Sequence, residues 1–506
     1  MYFRKKSFPY PYLTTSAPTI HPLSMKNYLV LALFALVCNI VTAQTGIDWG
    51  TSVDIAPSSF GGQHPRIVVD ASGNPIVIWT RSGDESLMFA RWNGTGFTAP
   101  VKLNDGLTVA NASWMGPDIA AKGDTVYVVM KQTPEADTNS HVYLTRSFDG
   151  GSTFSIPLRV DYLADSVSRF PTVAVDDAGH PLVAFMKFNN SFLDSRWAVS
   201  RSFDYGATFQ TDVEASGWSS PGSEVCDCCP GALVSDGATV AMLYRDNRNN
   251  IRDTWAGLST DSGTTFSTGF NLDQNNWNIN SCPATGPDGV IVGDTLYSVF
   301  MNGASGTLAY LSAFSLSSQT LVSVDPLTGV VPGLSQQNYP RIDHDDRALC
   351  VVWRQVLNGE SQLALRFTQD ITQGLPAGFD VVDGSGIVNA DVALANAKVH
   401  VVWQDENDGK VKYKLGTYSP VSTGLATPAV GKSVVMAPNP AMDHTIIRLV
   451  DHSAFLAEVY GFAGNLVYAS TETTMLRLDT SEFQPGTYVV VLKQAGRQWL
   501  RKLVVN

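Results

Sequence analysis

Charge is scarce in this 506-residue chain: Asp, Glu, Lys and Arg together make up only 16% of it. The balance is acidic, with a formal net charge of −12, and no basic run follows the first few dozen residues. That excludes a nucleic-acid partner and an anionic membrane surface as working hypotheses. Long apolar runs are missing too. The one candidate, Leu29 to Val41, follows Met25-Lys26 and precedes the small-residue step Val41-Thr42-Ala43 before Gln44. It is too short to span a bilayer and reads as a secretory signal peptide over 25–43, with 1–24 an upstream segment and Met25 an alternative start. A lipoprotein cysteine at Cys38 is the competing reading. There is no HExxH, no G-x-S-x-G elbow and no phosphate-cradling glycine loop, so no metal or cofactor is expected.

What is present is glycine, proline and aromatic side chains, the composition of an extracellular β-rich protein. One box recurs: Ser147 to Phe154, Ser202 to Phe209 and Ser259 to Phe266 all fit S-x-D-x-G-x-T-F. The aspartates (Asp149, Asp204, Asp261) are expected to accept backbone N–H groups two or three residues on, and the glycines (Gly151, Gly206, Gly263) to supply a positive φ. A repeat at near-constant spacing signals an array of similar units. Around it a longer unit recurs from His64 to Trp403. Each copy opens near a proline (Pro65, Pro117, Pro171, Pro230, Pro287, Pro340) and ends its second strand on a bulky residue (Trp79, Met130, Phe185, Tyr244, Phe300, Trp353, Trp403). Units of fifty-odd residues with four short strands are propeller blades. Seven are counted, with six as the alternative; the last has three strands, and Asp48 to Ile55 is the candidate for its missing outer strand.

The box resembles the Asp-box, or BNR repeat, of sialidase-like β-propellers. That resemblance implies an all-β fold over 44–420, with the boxes on the face opposite the binding site. A Ser/Thr/Gly/Pro-rich linker is read over 421–433. Residues 434–506 then run Ala437-Pro438-Asn439-Pro440, a Gly461 to Gly464 hairpin, Pro485-Gly486-Thr487-Tyr488 and a basic-apolar end, Arg501 to Val505. This alternation of strands and turns makes a small β-sandwich. It resembles the C-terminal sorting domain of type IX secretion in the Bacteroidetes, which implies export to the surface or medium, with the secretion machinery as a partner. A carbohydrate-binding sandwich is the alternative.

In a propeller, the residues just before each first strand and just after each second strand build the functional face. Arg81, Lys131, Lys187, Arg245 and Arg354 fall in the second set, and Arg66, Arg169 and Arg341 in the first. They predict a positive ring for an acidic glycan or a protein, since arginine forks fit carboxylates. The competing expectation pairs them with rim carboxylates such as Asp118, Glu224, Asp246 and Asp405. The sialidase resemblance implies three arginines, a Tyr–Glu nucleophile and an Asp acid/base. Candidates for these roles are Arg66, Arg245, Arg341, Arg354, Tyr244, Tyr339, Glu224 and Asp246. The order Pro65-Arg66-Ile67 departs from the family's Arg-Ile-Pro, so an exo-sialidase is kept as the alternative to a monomeric binding module. Cys226, Cys228, Cys229 and Cys282 precede two successive units and are expected to form two disulfides, with a thiolate metal site as the competing reading. Cys350 reads as core.

Overall fold

The computed structural model describes residues 46–55, 61–162, 166–420, 434–449, 453–461, 465–494 and 497–506. The segment 1–24, the signal peptide, Cys38 and the linker 421–433 lie outside the described residues. The chain divides into two compact units, 1–419 and 420–506. Among the described residues there is no α-helix, only 3-10 turns at Arg248–Asn250 and Ile371–Gln373.

The larger unit contains seven antiparallel sheets, numbered here one to seven. Their innermost strands are Gly62–Val69, Asp118–Lys122, Ser166–Val175, Ala232–Asp236, Asp288–Val292, Leu334–Asp345 and Ile387–Ala395. Each packs against the innermost strand of the next, and the seventh returns to the first, so the fold is a closed, propeller-like ring. The second strands are the most apolar and the most buried: Thr125–Lys131, Thr239–Arg245 and Ala348–Leu357 are almost wholly covered. Covered on both faces by neighbouring sheets, such strands read as continuous apolar runs.

Sheet seven supplies only three strands from its own stretch of sequence. Asp48–Trp49 pairs with Gly416–Thr417, and Val53–Asp54 with Lys412–Tyr413, along the same outer edge. Trp49 is fixed further by its Nε1–H, which donates to Asp380 of sheet six at 2.8 Å. The ring is thereby closed by the start of the chain.

The three boxes sit between third and fourth strands and share one hydrogen-bond network. In the first, Ser147 Oγ donates to Asp149 at 2.7 Å and accepts the Gly151 N–H at 2.9 Å. Asp149 then accepts the Thr153 N–H at 2.9 Å and the Thr153 hydroxyl at 2.7 Å. The same bonds recur at Asp204 and Asp261. The carboxylate therefore reaches four residues on, further than the two or three expected, because the glycine between them turns back at φ +80, +81 and +78°. Sheet five lacks the box aspartate and takes Asp294 from the adjoining hairpin, which accepts the Ser317 N–H at 2.9 Å. Arginines link successive boxes: Arg146 donates to the Tyr205 carbonyl and Arg201 to that of Ser262.

The smaller unit has a three-stranded sheet (Val434–Ala437, His444–Leu449, Met475–Asp479) and a four-stranded one (Leu456–Tyr460, Leu466–Ala469, Gly486–Gln494, Arg497–Val505). Ile447, Phe455, Val459, Leu478, Val490, Trp499 and Leu503 form its core. The role of the asparagine between two prolines is visible here. Asn439 donates to the Lys502 carbonyl at 2.7 Å and accepts the Val504 N–H at 2.9 Å, holding the last strand.

Replacing a box aspartate removes two to three hydrogen bonds from an exposed turn. Asp204→Ala should lower the unfolding free energy in urea by about 1–2 kcal/mol. Gly151→Ala should cost more, about 2–4 kcal/mol, because its Cβ would lie 2.4 Å from the Phe89 ring at φ +80°. The bonds from Thr153 and Ser147 also hold the Asp149 carboxyl at about 2. A depressed carboxyl stabilises the fold above its unfolded value near 3.9 and loses that effect as pH falls through 2. The gap in melting temperature between the parent and Asp149→Asn should be full at pH 6 and shrink between about pH 4 and 2.

Candidate functional site

Residues in or just before all seven innermost strands line one narrow cavity of about 60 Å³ at the centre of the ring. Three side chains reach it by the same local device. His64, Phe170 and Tyr339 each precede a proline and each has a positive φ (+50, +50 and +51°). Each also sits in a β-bulge, between Gln63 and Arg66, Arg169 and Thr172, and Asn338 and Arg341. A left-handed backbone at a bulky residue is costly and is held only by its surroundings. Here it places three rings at the cavity wall.

One residue after the proline come Arg66, Thr172 and Arg341, and the two arginines begin a charged layer. Arg66 and Arg341 line the cavity with Asp118. Arg341 Nε lies 3.3 Å from Asp288 and 3.0 Å from Asp391. Burial works against its charge, but Asp288 and Asp391 outweigh that and raise its pKa. Arg66 donates to the Pro65 carbonyl at 2.8 Å and approaches Asn389 Oδ1 at 3.4 Å. Burial, with Arg341 nearby, lowers it to about 10. His64 is pushed well below its usual pKa by burial and by both arginines, so it is neutral at physiological pH. Two guanidinium groups thus face three carboxylates, and the layer offers no cation in excess.

The carboxylates are themselves engaged by the neighbouring sheets. Asp118 accepts the Val173 N–H at 3.1 Å, Asp288 the Ile342 N–H at 3.0 Å, and Asp391 the Ile67 N–H at 3.0 Å. Asp343 does the same for Leu394 at 2.7 Å, and burial raises its pKa to about 7.

The other cations proposed from sequence do not join Arg66 and Arg341. Arg245 is fully buried and donates to the carbonyls of Thr285 (3.3 Å), Arg252 (2.5 Å) and Met301 (2.7 Å), tying sheet four to sheet five. Lys131 is buried against the Ser140 carbonyl and Ser168 Oγ, and burial lowers it to about 8. Arg81 pairs with Asp84, Lys187 with Asp212, and Arg169 with both oxygens of Glu135 at 2.7 and 2.8 Å. Carboxylates take Arg81, Lys187 and Arg169 while backbone carbonyls take Arg245 and Lys131, so among the described residues these cations do not gather into the expected positive ring. Of the rim acids expected, Asp118 does face Arg66 and Arg341, whereas Asp405 pairs with Lys412 instead. Asp246 is buried under the Arg248 N–H, and exposed Glu224 accepts the Asp194 N–H at 2.6 Å.

Tyr244 lies in the core between sheets three and four, its hydroxyl pKa raised by burial. Arg354 lies near Tyr339, with its Nε unbonded. Of the eight sialidase-type candidates, Arg66, Arg341 and Tyr339 share the cavity, while Arg245, Arg354, Tyr244, Asp246 and Glu224 lie outside its wall. Sequence reasoning passed over His64, Phe170, Trp114 and Asn389, which also line it. The recurrent bulky-residue–proline step was the available signal for the first two.

Two disulfides border the cavity, Cys226–Cys229 and Cys228–Cys282. The second joins the loops entering sheets four and five, which reach the cavity as Pro230-Gly231 and Gly286-Pro287. Gly286 packs so closely that a Cβ would lie 2.1 Å from the Pro230 carbonyl oxygen. The sulfurs of Cys226, Cys228 and Cys229 lie within 4.8 Å of one another, but as disulfides they hold no thiolate for a metal. Cys350 is free and buried in the core.

Residues 435–506 match the family described as the secretion system C-terminal sorting domain. No curated protein matches the chain in sequence. Among solved structures, a Dyadobacter fermentans protein of unknown function is similar over 74% of this chain and 100% of its own, at 12% identity and a TM-score of 0.45. The sialidase of Trypanosoma rangeli is similar over 88% of this chain and 84% of its own, at 12% identity and a TM-score of 0.41. The α-L-arabinofuranosidase Arb93A of Fusarium graminearum is similar over 64% of this chain and 99% of its own, at 11% identity and a TM-score of 0.42. No helix among the described residues is long and apolar enough to cross a membrane. With a type IX sorting domain at its C-terminal end, the chain is an exported protein, secreted or held at the cell surface.

Proposed function

We propose that this exported protein is an extracellular glycan-binding module. In this reading the seven sheets are the blades of a sialidase-like Asp-box propeller spanning 44–420. Residues 421–433 are a linker, and 434–506 a small β-sandwich read by the type IX machinery. The ligand docks on the face where the axial cavity opens.

The observation that carries the proposal is the set of rings lining that cavity, His64 and Phe170 in its buried wall and Tyr339 and Trp114 partly exposed. His64, Phe170 and Tyr339 are held there by positive φ at bulky residues, with Trp114 beside them and the cation charge balanced by aspartates. Aromatic faces beside fixed polar groups suit a sugar, with its apolar ring face and its hydroxyls. A cavity of about 60 Å³ is far below the 300–1,000 Å³ of sites that engulf a ligand, so the sugar is bound at the mouth. An exo-sialidase-type hydrolase is the second reading, favoured by the meeting of Arg66, Arg341 and Tyr339 in one cavity. Against it, Asp288 and Asp391 already flank Arg341 at its Nε and offset its charge.

The two separate in one pair of assays on purified mature protein. Retention on a glycan array with no product from fluorogenic sialosides or other acidic glycosides is the expected result. Tyr339→Ala should then weaken retention by about tenfold. Sialoside release that is lost in Tyr339→Phe would establish the hydrolase instead. Deleting 435–506 should leave the protein cell-associated and absent from the medium and surface, as read by fractionation and blotting.

A further inference from the structure

Beside the axial cavity lies a broader depression of about 510 Å³, formed by loops of sheets one and two. Its wall is a tight hairpin in which Ala112 N–H donates to Met115 O at 2.9 Å and Met115 N–H to Ala112 O at 3.3 Å. Ser113 and Trp114 form the tip. The hairpin is pinned from three directions: Asn389 of sheet seven donates to the Ser113 carbonyl, Val109 N–H to the Glu85 carbonyl at 2.9 Å, and Ala110 N–H to the Lys131 carbonyl at 2.8 Å. Trp114 is thus held in place with 36% of its surface exposed, and it lines both the cavity and the depression.

The polar groups around it are amides, hydroxyls and two carboxylates. Gln63 and Ser113 are half-buried, and neither side chain hydrogen-bonds to the rest of the described chain. Glu85, at φ +49°, accepts the Thr133 hydroxyl at 2.9 Å, and Glu135 is joined to Arg169. Among the described residues no lysine or arginine lines the depression, whereas two glutamates do. An indole face can take the apolar face of a pyranose or furanose ring, and amide, hydroxyl and carboxylate groups can take its hydroxyls. A sialic acid, uronate or sulfate would bring its own negative charge against Glu85, with Arg169 already taken up by Glu135 and no lysine or arginine in the described lining to meet it.

We propose that this depression is a sugar subsite for a neutral, unsulfated glycan, with Trp114 as its stacking platform and Gln63 and Ser113 as hydrogen-bonding partners. It rests on the glycan-binding reading above and narrows it, replacing the acidic ligand that the arginine count suggested.

The test uses the intact mature protein on an array carrying neutral hexose and pentose oligosaccharides beside sialylated, uronate and sulfated ones. The strongest neutral ligand is then measured by calorimetry. Retention is expected on neutral probes. Trp114→Ala should weaken the affinity by about tenfold or more and Gln63→Ala by about threefold, while Trp114→Phe stays within about threefold of the parent. Because about two-thirds of Trp114 is covered, Trp114→Ala should melt somewhat lower. Binding is therefore measured well below each variant's melting transition, with the folded state checked by circular dichroism, which separates lost binding from lost folding. Retention on acidic probes alone, or neutral binding unchanged in Trp114→Ala, would overturn this assignment and leave the glycan-binding proposal standing. Retention on no glycan at all would overturn both.

Discussion

The ring depends on one recurring bond: an aspartate on the innermost strand of one sheet accepts a backbone N–H from the innermost strand of the next. Radially arranged sheets leave their inner strands as edges, whose outward N–H groups have no ladder partner. A buried N–H left unpaired costs roughly as much as a lost hydrogen bond. Asp118, Asp288, Asp343 and Asp391 meet that need at four of the seven junctions. Thr172 contributes a longer contact, 3.4 Å, to the Leu233 N–H at a fifth. Between sheets four and five, Gly286 lies against the Pro230 carbonyl, leaving no room for a side chain, and a disulfide and Arg245 tie the two sheets together.

The same aspartates set the electrostatics of the axial end. Because they are fixed there for structural reasons, Arg66 and Arg341 enter a layer whose negative charge is already present. The arginines then serve that layer, and little positive field is left to draw an anion. The site is better described by its rings and neutral hydrogen-bonding groups than by the number of its arginines.

Much of the architecture was legible because its determinants are local. A serine, an aspartate, a glycine and a threonine within seven residues specify a complete hydrogen-bond network, so three copies could be read directly. The proline-opened strands and the four clustered cysteines were equally open to inspection. The site was harder to read, because the fate of a cation depends on residues far away in sequence. Arg245 is the last residue of its second strand, and Arg354 lies near the end of its own, Ala348–Leu357. The first is swallowed by three carbonyls from other segments, and the second is left at the margin. Nothing local distinguishes them. The inward orientation of His64 comes from a bulge and a positive φ, whose only trace in the sequence is the bulky residue set before a proline.

The closure of sheet seven has a mechanical side. Its outer edge is two dipeptide strands from the start of the chain, helped by the Trp49–Asp380 bond and the Lys410–Asp54 ion pair, which joins residues 356 apart. Every other sheet of the ring is built from one continuous stretch of sequence. A pull on the two ends of this unit would therefore load a short clasp in peeling geometry, and the circle would open there before any sheet lost its inner strands.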